Sequence, residues 1–447
     1  LRRGGLKGGH TVPETPTEHI SPTAGAAARR PGWVARLARS LVLKKLSGMT
    51  VGEFVIHDGD EEHRFGPGRN GPAVELTVAD REFYCDLAFG GSLGAAEGYM
   101  LGRWTCSDLT DLVRLMQMNR DVLETVEGGI GQLGIIAARW YHRLRRNTLS
   151  GSRRNIVAHY DLSNDFFQLF LDPTMMYSCA LFERPGMSLE EASIAKNDRI
   201  CRKLRLSAGD HLVEIGTGWG GFAIHAASRF GCRVTTTTLS DEQYDLAVSR
   251  IADAGLSDRV QVVRKDYREL GGVYDKLVSI EMIEAVGYEY YDDYFGACSR
   301  LLKPDGMMCL QAIIIDDRQF DVARRSVDFI QRYVFPGSCI PSITAMCGSV
   351  RRATDMRLFH QEDITAYYPP TLKSWRENFF DRIEDVRAMG FSEEFVRMWE
   401  FYLCYCEGGF LERWIGDVQM IFTKPKCRCA PILGRIGTDR DSCAKGE

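Results

Sequence analysis

From Trp33 the apolar positions Trp33, Leu37, Leu41, Val42 and Leu46 recur at helical spacing, with Arg36, Arg39, Lys44 and Lys45 between them. The pattern predicts a short basic amphipathic helix, suited to a membrane interface or to packing on its own domain. Over 50–85 the rhythm changes. Val51, Phe54 and Ile56, then Val74, Leu76 and Val78, alternate with polar residues as strands do, and Gly and Asp clusters between them supply turns. Gly91 to Glu124 returns to a helical period through Leu109, Leu112, Leu115 and Met116. Residues 46–150 therefore read as a small α+β domain. From 151 to about 425 strand and helix alternate, the pattern of a mostly parallel sheet with helices on its faces. Strands are expected at His211–Ile215, Arg233–Thr238, Val260–Arg264, Lys276–Ile280 and Met307–Ile315. Helices are expected over Gly221–Arg229 and Ser240–Ala254, the second with Ser240 and Gln243 at the two positions of a capping box. Residues 1–32, rich in Gly, Pro, Thr, Ala and Arg, read as disordered and form a basic tail, 1–45, with the first helix. Residues 426–447 read as a flexible C-terminal tail.

Composition narrows the class. A chain of 447 residues with 45% apolar residues suits two to three folded domains with a sizeable core. A net charge of −4 gives the whole molecule no pull toward nucleic acid. The charge is uneven, however. Residues 1–45 hold nine Lys or Arg against Glu14 and Glu18, and 139–154 hold six Arg with no acid. Such stretches suit an anionic surface such as lipid headgroups, or are simply solvated. With no run of about 18 apolar residues, nothing is expected to span a bilayer, so a lipid would be met at the membrane surface. The fourteen cysteines are scattered, and Cys427 and Cys429 have no second pair or His at zinc spacing. No metal site is expected, and reduced thiols in a cytoplasmic compartment are the default. The sequence begins at Leu1.

The segment Val213-Glu214-Ile215-Gly216-Thr217-Gly218-Trp219-Gly220-Gly221 carries the clearest chemistry. A buried strand runs into a glycine turn and then a helix, which lets a ligand lie against the backbone. Glu214 could bond that ligand, directly or through water. Dinucleotide oxidoreductases show a similar loop. Here, though, the second strand ends in Thr238-Leu239-Ser240 and not in the acid that holds a nicotinamide ribose, although Asp241 lies near enough to compete for that role. The pattern favours S-adenosylmethionine.

Further segments carry a resemblance. His159-Tyr160-Asp161-Leu162-Ser163-Asn164-Asp165-Phe166-Phe167, then Leu171-Asp172-Pro173 and Met176-Tyr177-Ser178-Cys179-Ala180, resemble the entry segment of the cyclopropane fatty acid synthases. Thr238-Leu239-Ser240 with Gln243, Met282-Ile283-Glu284-Ala285-Val286-Gly287, and Phe335-Pro336-Gly337 with Ile340-Pro341-Ser342 continue it in the same order. Tyr368, Thr371-Leu372 and Trp375, then Tyr402-Leu403 and Cys406, complete it. The preceding domain, with Gly90-Gly91-Ser92-Leu93-Gly94 and Glu97, resembles the extra N-terminal domain of the longer members.

The resemblance implies an α/β fold: a Rossmann-like class I methyltransferase preceded by the small α+β domain. It implies S-adenosylmethionine as cofactor, with Tyr160, Tyr177, Ser178, Gly216, Gly218, Gly220, Thr238, Leu239, Gln243 and Tyr267 in contact with it. Asp266 would bond the adenine amine or merely cap a turn. The substrate implied is an unsaturated phospholipid acyl chain at the membrane surface, and a homodimer is a further expectation. An alkene is a poor nucleophile, so it must meet the sulfonium methyl in a dry pocket. Phe329, Tyr333, Phe335, Met175 and Met176 are candidates to line it, or are plain core. Methyl transfer leaves a carbocation, which aromatic faces stabilise and a base must deprotonate. In this family the base resembles a bound bicarbonate, and the matching positions are Cys179, Glu284 and Tyr368, with the backbone near Ile313. One departure stands out: Gln311 occupies the fifth-strand position where the family places a His, and Gln does not titrate. Ring closure is therefore less firmly implied than methyl transfer. A methyl-branched or methylene-bearing acyl chain, a methylated small amine, and a lipid-surface protein without activity stand as alternatives.

Overall fold

The computed structural model describes residues 33–120 and 162–433. The expectations placed on 1–32, on the arginine stretch 139–154, on Tyr160 and on the end of the C-terminal tail lie outside the described residues.

The basic helix forms as α1 (Trp33–Leu46) and packs on its own domain. Ala38, Val42 and Leu46 enter the core, and Arg39 donates to Asp58 at 2.8 Å and to Glu61 at 2.7 Å. Leu37 and Leu41 lie on the other face, exposed beside Arg36 and Lys44. The inward stripe thus runs through alanines that a search for large apolar residues passes over. The helix sits on a four-stranded sheet in the order β2-β1-β3-β4, built from β1 (Gly52–Asp58), β2 (Glu61–Arg69), β3 (Ala73–Val78) and β4 (Trp104–Cys106). Along β3 the alternate residues Val74, Leu76 and Val78 face inward, as their spacing predicts. The helical stretch begins earlier than expected, at α2 (Glu82–Met100), which kinks at Gly91 where φ is 58°. A separate helix follows, α3 (Leu109–Met118).

The large sheet has seven strands in the order β10-β11-β9-β8-β5-β6-β7. β5 (His211–Ile215), β6 (Arg233–Thr237), β7 (Val260–Val263), β8 (Tyr274–Ile280) and β9 (Leu302–Ile315) pair in parallel. Two strands beyond the expected five complete one edge. β11 (Ile415–Thr423) runs antiparallel between β9 and β10 (Arg357–Asp363). The strand order reverses at β5, so the crevice at the ends of β5 and β8 is where such a sheet takes a ligand. The fold is that of the class I methyltransferases, with the α+β domain before it.

After β5 comes α4 (Gly221–Phe230), and after β6 comes α5 (Asp241–Asp253), capped by Ser240 as expected. The reciprocal half of the capping box is not made, because the Gln243 side chain instead accepts a hydrogen bond from Thr238 Oγ1 at 2.8 Å. α6 (Tyr368–Asp381) and α7 (Glu393–Leu411) close the remaining side. The core under α7 is continuous with that of the N-terminal domain, joining Tyr84, Tyr99 and Trp104 to Trp399, Phe401 and Leu403. Polar contacts cross the same boundary: Tyr99 donates to Glu400 at 2.6 Å, and Thr110 to Glu407 at 3.0 Å. Among the described residues no helix is long and apolar enough to cross a membrane.

Candidate active site

The glycine turn after β5 forms one wall of a cavity of about 150 Å³. Gly216 and Gly218 hold φ at +99° and +52°, the left-handed side that glycine adopts freely. A Cβ on Gly218 would meet nothing within 4 Å, so its backbone faces open space, whereas one on Gly216 would press on Met282 at 3.3 Å. Gly220 is different. It faces Ala247 of α5 and not the cavity, and its work is to start α4 close to that helix. Tyr177, Ser178, Glu214, Thr238, Leu239, Gln243, Asp266 and Tyr267 line the space together with Met175 and Met176.

Two of these residues have informative partners. Both oxygens of Asp266 are taken by Arg268, at 2.8 and 2.6 Å, so Asp266 caps its turn and holds an arginine at the rim. Glu214 is buried with Oε2 unpartnered, and burial pushes its carboxyl up to about 8. An unpaired acid beside a backbone cradle fits a ligand with a cationic head, as S-adenosylmethionine has.

Behind this cavity lies a cluster of acids that the sequence only half disclosed. Glu281, the residue directly after β8, accepts hydrogen bonds at Oε1 from the Cys179 backbone N–H at 2.9 Å and from Gln311 Nε2 at 2.7 Å. Its Oε2 accepts from the Tyr368 hydroxyl at 2.7 Å. Glu281 holds φ at +47°, a strained backbone for a non-glycine residue. Gln311 also donates to Asp417 at 3.1 Å and accepts from Gln419 Nε2 at 3.0 Å. Asp417 is fully buried, and burial beside Glu281 and Glu284 raises its pKa well above the carboxylate range. The buried Lys196 ammonium donates to Ser178 at 2.9 Å. Glu284 accepts from the Ile313 N–H at 2.6 Å, keeps Oε2 unpartnered, and is pushed up to about 8 by burial and by Glu281.

Cys179, Gln311, Glu284 and Tyr368 are thus brought together, but around Glu281. The Cys179 thiol lies against the carbonyls of Ala180 and Ile364 and beside the Asp417 carboxyl, while the backbone N–H of that residue reaches Glu281.

A second cavity, of about 210 Å³, lies beyond the cluster. Its walls are apolar and aromatic, with Ile313, Ile315, Phe335, Leu372, Tyr402, Tyr405, Phe410 and Trp414, and α3 contributes Gln117. Of the expected slot residues only Phe335 lines it. Phe329 packs edge-on against Phe401, and the Tyr333 hydroxyl is tied to Glu97. Met175 and Met176 belong to the first cavity. Three residues line both spaces: Tyr177, Glu281 and Ala285. Sequence reasoning missed Glu281, Asp417 and Lys196. The available clue was a second acid three positions before Glu284 at a strand end.

Comparison with known proteins places this arrangement. The family model described as mycolic acid cyclopropane synthetase matches residues 148–420. The chain is 39% identical over 336 residues to the tuberculostearic acid methyltransferase UfaA1 of Mycobacterium tuberculosis, covering 74% of this chain and 78% of that one. It is 35% identical over 370 residues to the cyclopropane-fatty-acyl-phospholipid synthase of Escherichia coli, covering 81% and 91%. Among solved structures it is similar to mycolic acid cyclopropane synthase CmaA1 complexed with SAH and CTAB, with a TM-score of 0.55 and 32% identity, covering 61% and 98%.

Proposed function

The chain belongs to the mycolic acid cyclopropane synthetase family and is an S-adenosylmethionine-dependent methyltransferase acting on lipids; from that premise we propose that it adds a one-carbon unit to the double bond of an unsaturated phospholipid acyl chain. The observation that carries this reading is a pair of neighbouring cavities with three lining residues in common. A glycine-cradled space, with a buried acid that keeps one oxygen unpartnered, shares Tyr177, Glu281 and Ala285 with a larger space walled by aliphatic and aromatic side chains. A small amine would have no use for such a wall.

S-adenosylmethionine, when bound in the first cavity, supplies an electrophilic methyl group. Glu214, Ser178 and the glycine turn would hold it, and the apolar wall would set the alkene opposite it in a water-poor space. Addition of the methyl to one alkene carbon leaves the other cationic. Tyr402 and Phe410, which line the second cavity, would supply aromatic rings near such a charge that stabilise it without bonding to it. Loss of a proton from the added carbon with closure onto the cation gives a cyclopropane. Two observations favour a second product, a methylene- or methyl-bearing chain: Gln311 is a residue that cannot titrate, and UfaA1 is a methyltransferase by name. We place the encounter with lipid at a membrane surface, supported by Leu37 and Leu41 standing exposed beside Arg36 and Lys44 on α1.

The test is incubation with methyl-labelled S-adenosylmethionine and vesicles of a monounsaturated phospholipid, followed by mass spectrometry of the released fatty acids. A gain of one CH2 with a ring supports the first product, and a gain of one CH2 with a retained double bond, exocyclic or beside a methyl branch, the second. No label in the lipid removes the proposal.

A further inference from the structure

We infer that the Glu281 carboxylate, and not a bound bicarbonate, is the base that takes the proton after methyl transfer; the inference rests on the lipid-methylating reading above.

A bicarbonate would need the donors that its expected site supplies: the Cys179 residue, the Tyr368 hydroxyl and the backbone N–H of Ile313. All are engaged by the protein's own carboxylates. Glu281 accepts from the Cys179 N–H at 2.9 Å and from Tyr368 at 2.7 Å, and Glu284 accepts from Ile313 at 2.6 Å. An added anion would have to enter against the like charge of the Glu281 carboxylate, with the Cys179 N–H, the Tyr368 hydroxyl and the Ile313 N–H already taken. Bicarbonate therefore does not fit this site.

Glu281 fits the task on three counts. It is one of three residues that line both cavities, which sets it between the space proposed for the methyl donor and the space proposed for the alkene. Its three hydrogen bonds fix its position, which keeps the carboxylate from advancing to form an ester with the cation. And a carbocation's neighbouring protons are so acidic that a weak base suffices, provided it is close. Gln311 then has a reason to replace a titrating residue. Its amide NH2 reaches Glu281 and Asp417 at once, while Gln419 fixes its oxygen. The strained φ of +47° at Glu281, anchored by its N–H to the Gln311 carbonyl at 2.8 Å, aims the side chain back over the cluster.

The alkene π pair forms the bond to the methyl carbon as the carbon–sulfur pair leaves with sulfur, and the adjacent carbon becomes cationic. Glu281 takes a proton from the methyl carbon, and the freed C–H pair closes the ring. If a hydride first moves to the cationic carbon, the same proton removal leaves a methylene group. Either way Glu281 ends as a carboxylic acid and returns its proton to water when the lipid departs.

The test has two arms. In the first, turnover is measured in CO2-stripped buffer with and without added bicarbonate. Wild type should be unchanged, and Glu281→Gln should lose about 100-fold or more while S-adenosylmethionine still binds. In the second, 13C-bicarbonate binding is followed by NMR. Wild type should show none, and Glu281→Gly, whose residue suits the left-handed backbone, should bind the ion among the released donors and regain turnover with it. Wild-type turnover that needs bicarbonate, bicarbonate bound to wild type, or a fully active Glu281→Gln each overturns the inference while leaving lipid methylation standing. A wild type that labels no lipid fails on the earlier reading instead, and this one falls with it.

Discussion

Tyr368→Phe isolates one hydrogen bond of the acid cluster. The Tyr368 ring lies stacked on Phe410, with centroids 4.2 Å apart and planes 9° from parallel, so the phenylalanine ring keeps the same packing. What disappears is the O–H that donates to Glu281 Oε2 at 2.7 Å. A hydrogen bond to a charged acceptor contributes about 1.5–3 kcal/mol, and each 1.4 kcal/mol is a factor of ten in rate. If that bond holds the carboxylate in its working position, turnover should fall about 10- to 150-fold. Tyr368 does not line the first cavity, so affinity for S-adenosylmethionine should stay within about a factor of two. Initial rates of label transfer into phospholipid vesicles give the first quantity, and titration calorimetry the second. Turnover within about threefold of wild type would refute the reasoning, as would cofactor affinity that falls in step with the rate.

Gly216→Ala forces a side chain onto a backbone at φ +99° and toward Met282 at 3.3 Å, and should weaken cofactor binding by about 5- to 150-fold through strain of roughly 1–3 kcal/mol; unchanged calorimetry would contradict the cradle. Glu214 and Glu284 each sit at about 8 against an ordinary value of 4.5, because burial disfavours their charged forms. The native state therefore keeps protons that the unfolded chain has released between those values, so stability should fall as pH rises from about 5 to 8 and level off above. Each group accounts for up to about 4 kcal/mol, and Glu284→Gln should remove its share of the slope in urea titrations at several pH values. Gly408→Ala places a Cβ 2.7 Å from the Val113 side chain at the contact of α7 with α3, and should cost about 1–3 kcal/mol in thermal or urea unfolding, with one transition and not two.

Much of the fold could be read from residue order alone, and the reasons are physical. β5 and most of β6 are buried on both faces, and β7 is a valine-rich edge strand, so all three appear as short runs of aliphatic and β-branched residues, and their ends fall within a residue of the expected ones. The glycine turn shows because few other residues tolerate its backbone. β10 has a largely exposed edge and no such run, and it went unread. The cluster was harder. Lys196 comes from the Leu189–Leu204 helix, Glu281 from the end of β8 and Asp417 from β11, so only the sheet order brings them together. The family pattern named Glu284, Tyr368 and the Cys179 thiol, but not the Cys179 backbone N–H that reaches Glu281.

The continuous core beneath α7 bears on how the molecule can be divided. Residues 33–120 do not form a detachable module, for cutting them away would strip Tyr99 and Trp104 from Phe401 and Trp399 and present a greasy flank to water. A shortened enzyme made for crystallography should therefore be insoluble unless the surface of α7 is redesigned. Any relative that dispenses with this portion must have repainted that helix with polar side chains or found another partner for it.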